Sequence, residues 1–117
     1  MRAKDVLGRE GEELAAVYLQ EQGMRVLARN WRCRAGELDI VALDGHELVA
    51  VEVKTRRSLA YGHPFEAVTP VKLARLRALG LAWRAEHGVR FPLRIDAVAV
   101  VSDGGADPVV EHLRGVG

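Results

Sequence analysis

The sequence predicts an α/β fold, a three-layer sandwich in which helices flank a central mixed β-sheet. Three observations carry this. A helical period with an apolar stripe opens the chain, two runs rich in β-branched residues meet at Asp44-Gly45, and a second helical period stands before a last β-type run. The order is helix, three strands, helix, strand (α-β-β-β-α-β). The chain has 117 residues, 49% hydrophobic and 28% charged, enough for one core and without a disorder signature. We assign residues 1–101 to a single domain. Residues 102–117, with Gly104-Gly105 and a terminal Gly-Val-Gly, are expected to form a mobile tail.

The first helix is expected from Asp5, as cap, to Gln22, with Gly23 ending it. Leu7, Gly11, Leu14, Ala15, Tyr18 and Leu19 make its stripe. Gly8 and Gly11 each cost about 1 kcal/mol relative to Ala in a helix interior, which implies close packing or backbone access there. Glu13 falls opposite the stripe. Glu12 falls at its margin, placed to reach over a neighbouring sheet, and Glu10 lies at the other margin. Met24–Arg29 reads as a first strand and Asn30–Gly36 as a polar loop. Glu37–Leu43 and Glu47–Lys54 then form a hairpin about Asp44-Gly45, a dipeptide that supplies the positive φ tight hairpins need.

Ser58–Pro70 is a connector in which His63 reads as an ordinary turn histidine. Thr69-Pro70 opens the second helix, with Pro at its first position, and the helix runs to about His87. Its inward residues are Val71, Leu73 or Ala74, Leu76, Leu79 (or Gly80) and Trp83. The last strand is Leu93–Val101, where Asp96 either buttresses a site or pairs with Arg94.

Charge is concentrated in the hairpin. Side chains alternate along a strand, so Glu37 and Asp39 share a face, as do Glu52 and Lys54. A two-residue loop at Asp44-Gly45 sets Glu37 opposite Glu52. A loop spanning Asp44 to Glu47 sets Asp39 opposite Glu52 instead. Either register gathers all four on one surface, whereas a three-residue loop separates them. Three carboxylates on one patch repel each other unless a cation joins them. Lys54 is one such cation, and Mg²⁺ suits an all-oxygen, partly hydrated site for the rest. The bland alternative is a solvated strand face with cross-strand ion pairs.

Net charge is only +1, but Arg25, Arg29, Arg32 and Arg34 precede the acidic hairpin while Lys54, Arg56 and Arg57 follow it, and Lys72, Arg75, Arg77 and Arg84 come next. Cations around a carboxylate cluster are what a nuclease needs, the first for phosphates and the second for metal. Arg32 beside Trp31 is a candidate base-stacking pair if Trp31 is exposed. One cysteine, Cys33, excludes an internal disulfide, and four scattered histidines do not make a structural zinc site. With no apolar run of membrane length and no signal-like N-terminus, a cytoplasmic location is expected and no membrane partner.

Asp39 followed by Glu52-Val53-Lys54 resembles the Asp…Glu-X-Lys signature of the PD-(D/E)XK nuclease superfamily. A longer ordered string is more specific: Gly8-Arg9-Glu10-Gly11-Glu12, Gly36-Glu37-Leu38-Asp39-Ile40, Val51-Glu52-Val53-Lys54-Thr55-Arg56, Lys72 and Arg94-Ile95-Asp96. It is similar to the YraN-type family of small endonuclease-like bacterial proteins, over roughly residues 5–101. The resemblance implies a restriction-endonuclease-like core, akin to Holliday-junction resolvases, and a metal-dependent nuclease. It implies that Asp39 and Glu52 bind Mg²⁺ or Mn²⁺, with the Val53 carbonyl as a further ligand and Glu12 and Glu37 completing or tuning the set. Lys54 would orient the attacking water and stabilise phosphorane charge. Arg32, Arg56, Arg57 and Lys72 would hold nucleic acid, expected to be DNA recognised by structure, and a homodimer would suit a junction-cleaving enzyme. The alternative is a non-catalytic nucleic-acid-binding or adaptor protein that keeps the fold.

Overall fold

A computed structural model describes residues 3–60, 62–102 and 107–117. Its centre is a five-stranded mixed sheet in the order β1-β2-β3-β4-β5, formed by β1 (Arg25–Cys33), β2 (Gly36–Asp44), β3 (Glu47–Arg56), β4 (Leu93–Val101) and β5 (Val109–Leu113). Neighbouring strands are antiparallel except β3 and β4, which run parallel. Parallel neighbours need a crossover, and α2 (Pro70–Glu86) supplies it. Leu76, Leu79 and Trp83 of α2 pack on one face of the sheet against Leu48, Ala50 and Ile95. On the other face α1 (Ala3–Glu21) packs Ala15, Ala16 and Leu19 against Val49, Val51, Val98 and Val100. The three-layer α/β sandwich expected from the sequence is therefore the observed architecture, with one more strand than expected.

Three local expectations change. α1 includes Asp5, which is thus inside the helix and not its cap. The segment read as a polar loop after Arg29 is mostly strand, because β1 continues to Cys33 and pairs Trp31 with Leu38 and Arg32 with Glu37. Trp31 is half-buried against the α2-side core, so it is no open stacking platform. Val71, expected inward, is 71% exposed, since the first turn of α2 overhangs the sheet. Thr69 does cap α2, its hydroxyl accepting from the Lys72 N–H at 3.3 Å.

The largest revision concerns the C-terminus. Residues 107–117 are not a free tail: β5 pairs along β4 from Val101↔Val109 to Ala97↔Leu113. What fixes it is Asp96, fully buried in β4. The Asp96 carboxylate accepts from Arg94 Nε (2.9 Å) and Nη2 (3.0 Å), from the Gly115 N–H (2.9 Å) and from His112 Nε2 (2.7 Å). Burial alone would raise this carboxyl, but Arg94, Gly115 and His112 together hold it below the usual range. Both sequence options for Asp96 thus narrow to one, an anchor paired with Arg94. His63 is likewise structural: Nδ1 accepts from the Phe65 N–H at 3.1 Å, at the start of a short 3-10 helix (Pro64–Ala67), and Nε2 meets Glu111 Oε1 at 3.1 Å.

Candidate active site

The hairpin turn decides the register. Leu43 pairs with Leu48 and Asp44 with Glu47, leaving Gly45-His46 as a two-residue loop. Gly45 has φ +59°, as the first central residue of a primed hairpin turn requires. This is the register that sets Asp39 in line with Glu52, yet the two strands part before reaching that pair. Pairing between β2 and β3 stops at Ile40↔Val51, while β2 goes on pairing with β1 to Cys33↔Gly36. Strict alternation would put Leu38 and Val41 on opposite faces, but both pack in the α2-side core, with Ile40 in the α1-side core. The pleat is broken around Asp39. Its carboxylate turns to β3 across the opening, and Oδ2 accepts from the backbone N–H of Val53 at 2.8 Å.

Into this opening three further carboxylates are brought by separate elements. Glu52 and Lys54 stand on one side of β3 and form an ion pair, Nζ to Oε1 3.1 Å, with the side chains 16% and 19% exposed respectively. Glu37 comes from the start of β2, where exposed Arg32 holds it at 3.2 Å through Nε. Glu12 comes from α1. The helix lies close enough because residue 11 is glycine: a Cβ there would overlap the Thr55 hydroxyl and methyl. Gly8, in contrast, faces open space, so only Gly11 has a packing reason.

Asn30 ties the layers together and was not singled out in the sequence. It sits in β1 with φ +52°, a left-handed conformation that Asn tolerates better than most residues. With its amide nitrogen turned to the carboxylates, Nδ2 donates to Glu12 Oε2 at 2.9 Å and Glu37 Oε1 at 3.2 Å. The available signal was its place, a polar residue in the middle of a strand that had been read as a loop.

The electrostatics follow from this crowding. Burial, then the neighbouring Glu52 charge, pushes the Asp39 carboxyl up to about 7, against the pull of the Val53 N–H. Glu12 is also raised, by burial first, with Glu37 and Glu52 adding to it and Asn30 opposing. Burial pulls Lys54 down, but the adjacent Lys72 amine, Glu52 and Asp39 outweigh it, so Lys54 holds its proton more firmly than a free lysine. Lys72 is lowered, chiefly by its contact with Lys54. Arg56 lies at the end of β3 and Arg57 just past it, both exposed. Glu12, Glu37, Asp39, Glu52, Lys54, Arg32 and Lys72 are thus brought together. Val53 contributes its N–H to Asp39, and Arg57 stands outside the cluster.

Two open cavities flank the cluster. One of about 310 Å³ lies on the α1 side, lined in part by Glu12, Lys54 and Arg56. The other, about 200 Å³, lies on the α2 side, where Glu37 and Glu52 form the wall shared with the cluster. Among the described residues no three acidic or histidine side chains are already drawn in as a finished metal cage. The donors present are hard carboxylate oxygens carrying excess negative charge, a set that fits Mg²⁺ or Mn²⁺ better than a thiophilic metal.

Comparison with known proteins places the chain among relatives. A family model described as "Uncharacterised protein family UPF0102", the YraN-type family of the motif string, matches residues 11–100. A UPF0102 protein of Arthrobacter sp. (strain FB24) is 67% identical, with both chains covered completely. One from Pseudarthrobacter chlorophenolicus is 64% identical over 99% of this chain and 89% of its own. One from Streptomyces griseus subsp. griseus is 56% identical over 99% of each. Among the described residues no helix is long and apolar enough to cross a membrane.

Proposed function

The chain belongs to the UPF0102 family, and from that premise and the site geometry we propose that it is a metal-dependent nuclease hydrolysing phosphodiester bonds of nucleic acid. The observation that carries the reading is the convergence of Glu12, Glu37, Asp39 and Glu52 from three elements on the opening between β2 and β3, with Lys54 ion-paired inside it. A solvated strand face would spread such charges apart. Here β1 pulls β2 away from β3 and the carboxylates close in, a stability cost of the kind proteins bear at functional sites.

Asp39 and Glu52 would hold Mg²⁺ or Mn²⁺, with Glu12 and the Val53 carbonyl as further donors. Bound there, the ion would neutralise phosphate charge and supply hydroxide near neutral pH. The Val53 N–H fixes the Asp39 carboxylate. Asn30 holds Glu12 and Glu37 at a set separation. Lys54, kept positive by Glu52 and Asp39, would donate to a phosphate oxygen as it gains charge. Arg56, Arg32 and Lys72 at the rim, with Arg57 just beyond it, would contact the sugar-phosphate backbone. Such contacts give salt-dependent binding with little sequence preference, and DNA is the partner we propose.

The competing reading is a nucleic-acid-binding or adaptor protein that performs no chemistry. It draws on the net charge of only +1, small for an enzyme that acts on a polyanion. Calorimetric Mn²⁺ titration of wild type, Asp39→Ala and Glu52→Ala separates the two, with folding checked by thermal melting. Binding by wild type and none by the folded variants, with Mn²⁺-dependent cleavage of branched or single-stranded DNA lost in both, supports the nuclease. Absence of Mn²⁺ binding by wild type leaves the adaptor reading.

A further inference from the structure

We propose that the cavity on the α2 side of the cluster receives one unstacked nucleobase beside the phosphate held at the site, so that the preferred ligand is single-stranded nucleic acid. The inference rests on the nuclease reading for the position of that phosphate. The cavity and the cluster share Glu37 and Glu52, and Lys72 on the cavity lining contacts Lys54, which puts the cavity next to any phosphate bound between Lys54 and Lys72. Its lining suits a neutral base better than a second phosphate: Leu76 and Leu79 of α2 are apolar, and the charges of Lys72 and Arg75 are matched by those of Glu37 and Glu52, leaving no excess positive charge.

Shape agrees. Gly36 lines the cavity with φ +145°, a conformation that favours glycine and so leaves this part of the wall without a side chain. At about 200 Å³ the space is smaller than the roughly 300–1,000 Å³ of sites for larger ligands. It has room for one planar heterocycle, not for a stacked pair. Arg75, exposed on α2 at the mouth, presents a guanidinium plane that can cover a base by stacking. The α1-side cavity differs in charge balance: Lys54 and Arg56 outnumber Glu12 on its lining, which suits the sugar-phosphate backbone on the other side of the site. A base entering the α2-side cavity has to leave its neighbours. In a duplex that costs a few kcal/mol of unpairing and unstacking, and in a single strand much less.

The test is equilibrium binding of the full chain, in EDTA so that no chemistry intervenes, to three labelled ligands of equal length. These are a mixed-sequence single strand, a wholly abasic sugar-phosphate strand and a blunt duplex. Binding of the single strand about fivefold or more tighter than of the other two is expected. Arg75→Lys keeps the charge and loses the plane, so it should remove most of that preference while leaving abasic binding unchanged. Equal binding of single and abasic strands, an Arg75→Lys variant with the wild-type preference, or no binding of any ligand overturns the proposal. Mn²⁺ calorimetry on the same samples separates the two ideas. Metal binding without base preference sinks the pocket alone, and base preference without metal binding keeps the pocket and sinks the nuclease.

Discussion

Asp39→Asn should stabilise the metal-free protein at alkaline pH. Burial and Glu52 raise the Asp39 carboxyl from 3.8 to about 7. A group whose pKa is higher folded than unfolded contributes stability below its unfolded value and loses it as pH rises through the folded value. The wild type therefore loses stability between about pH 4 and pH 7 and has lost all of this contribution by about pH 8. Roughly three units at about 1.4 kcal/mol each set an upper limit of about 4 kcal/mol, and water at the partly open rim reduces it to about 2–3. Asparagine removes the charge but keeps a carbonyl to accept from the Val53 N–H. Urea denaturation in EDTA at pH 5 and pH 8 reads the effect directly. The difference between Asp39→Asn and wild type should grow by about 1–2 kcal/mol from the first pH to the second. Saturating Mn²⁺ should erase that growth in the wild type alone, because a ligand bound only by the folded state stabilises it by mass action. An equal pH dependence in both proteins would refute the claim that these carboxylates are forced together.

Three further expectations follow from the packing. Asp96→Ala removes the acceptor shared by Arg94, His112 and Gly115, and should cost about 3–5 kcal/mol in urea denaturation, with β5 amides losing hydrogen-exchange protection first. Gly11→Ala drives a methyl into Thr55 and should cost about 1–3 kcal/mol, most of which disappears in a Thr55→Ala background when the double-mutant cycle is closed. Thr69→Ala removes the α2 cap and should cost about 1 kcal/mol by the same denaturation, with Mn²⁺ affinity changed less than twofold because the cap touches none of the carboxylates.

Which parts of this fold a reader of the sequence could see depends on how local their causes are. The hairpin is legible because its signals lie within it: an Asp-Gly turn, β-branched runs, and a loop length of even parity that gathers the charges. The break at Asp39 is not, because its cause is the continuation of β1 through Asn30, Trp31 and Arg32, a stretch whose polar Asn30 and Arg32 read as loop. Once β1 extends, β2 follows it and leaves β3, and the Asp39 carboxylate is free to find the Val53 N–H. β5 was hidden for a similar reason. Val109–Leu113 is short, sits among glycines and a proline, and is held by a buried aspartate of the preceding strand, whose partners lie 16 and 19 residues further on.

Legible even so were the two glycines of α1 as breaks of a local rule, and one of them shows what such a break means. Gly11 weakens α1 and in return lets it approach Thr55, which carries Glu12 to the cluster. Asn30 adopts a left-handed backbone inside a strand and thereby reaches Glu12 and Glu37 together. Gly8 breaks the same rule without close packing and lines the α1-side cavity. A glycine in a helix does not by itself say which carboxylate matters. The pointer is two unrelated costs, one in α1 and one in β1, that act on the same carboxylate. A backbone selected for stability alone would have no reason to incur both at Glu12.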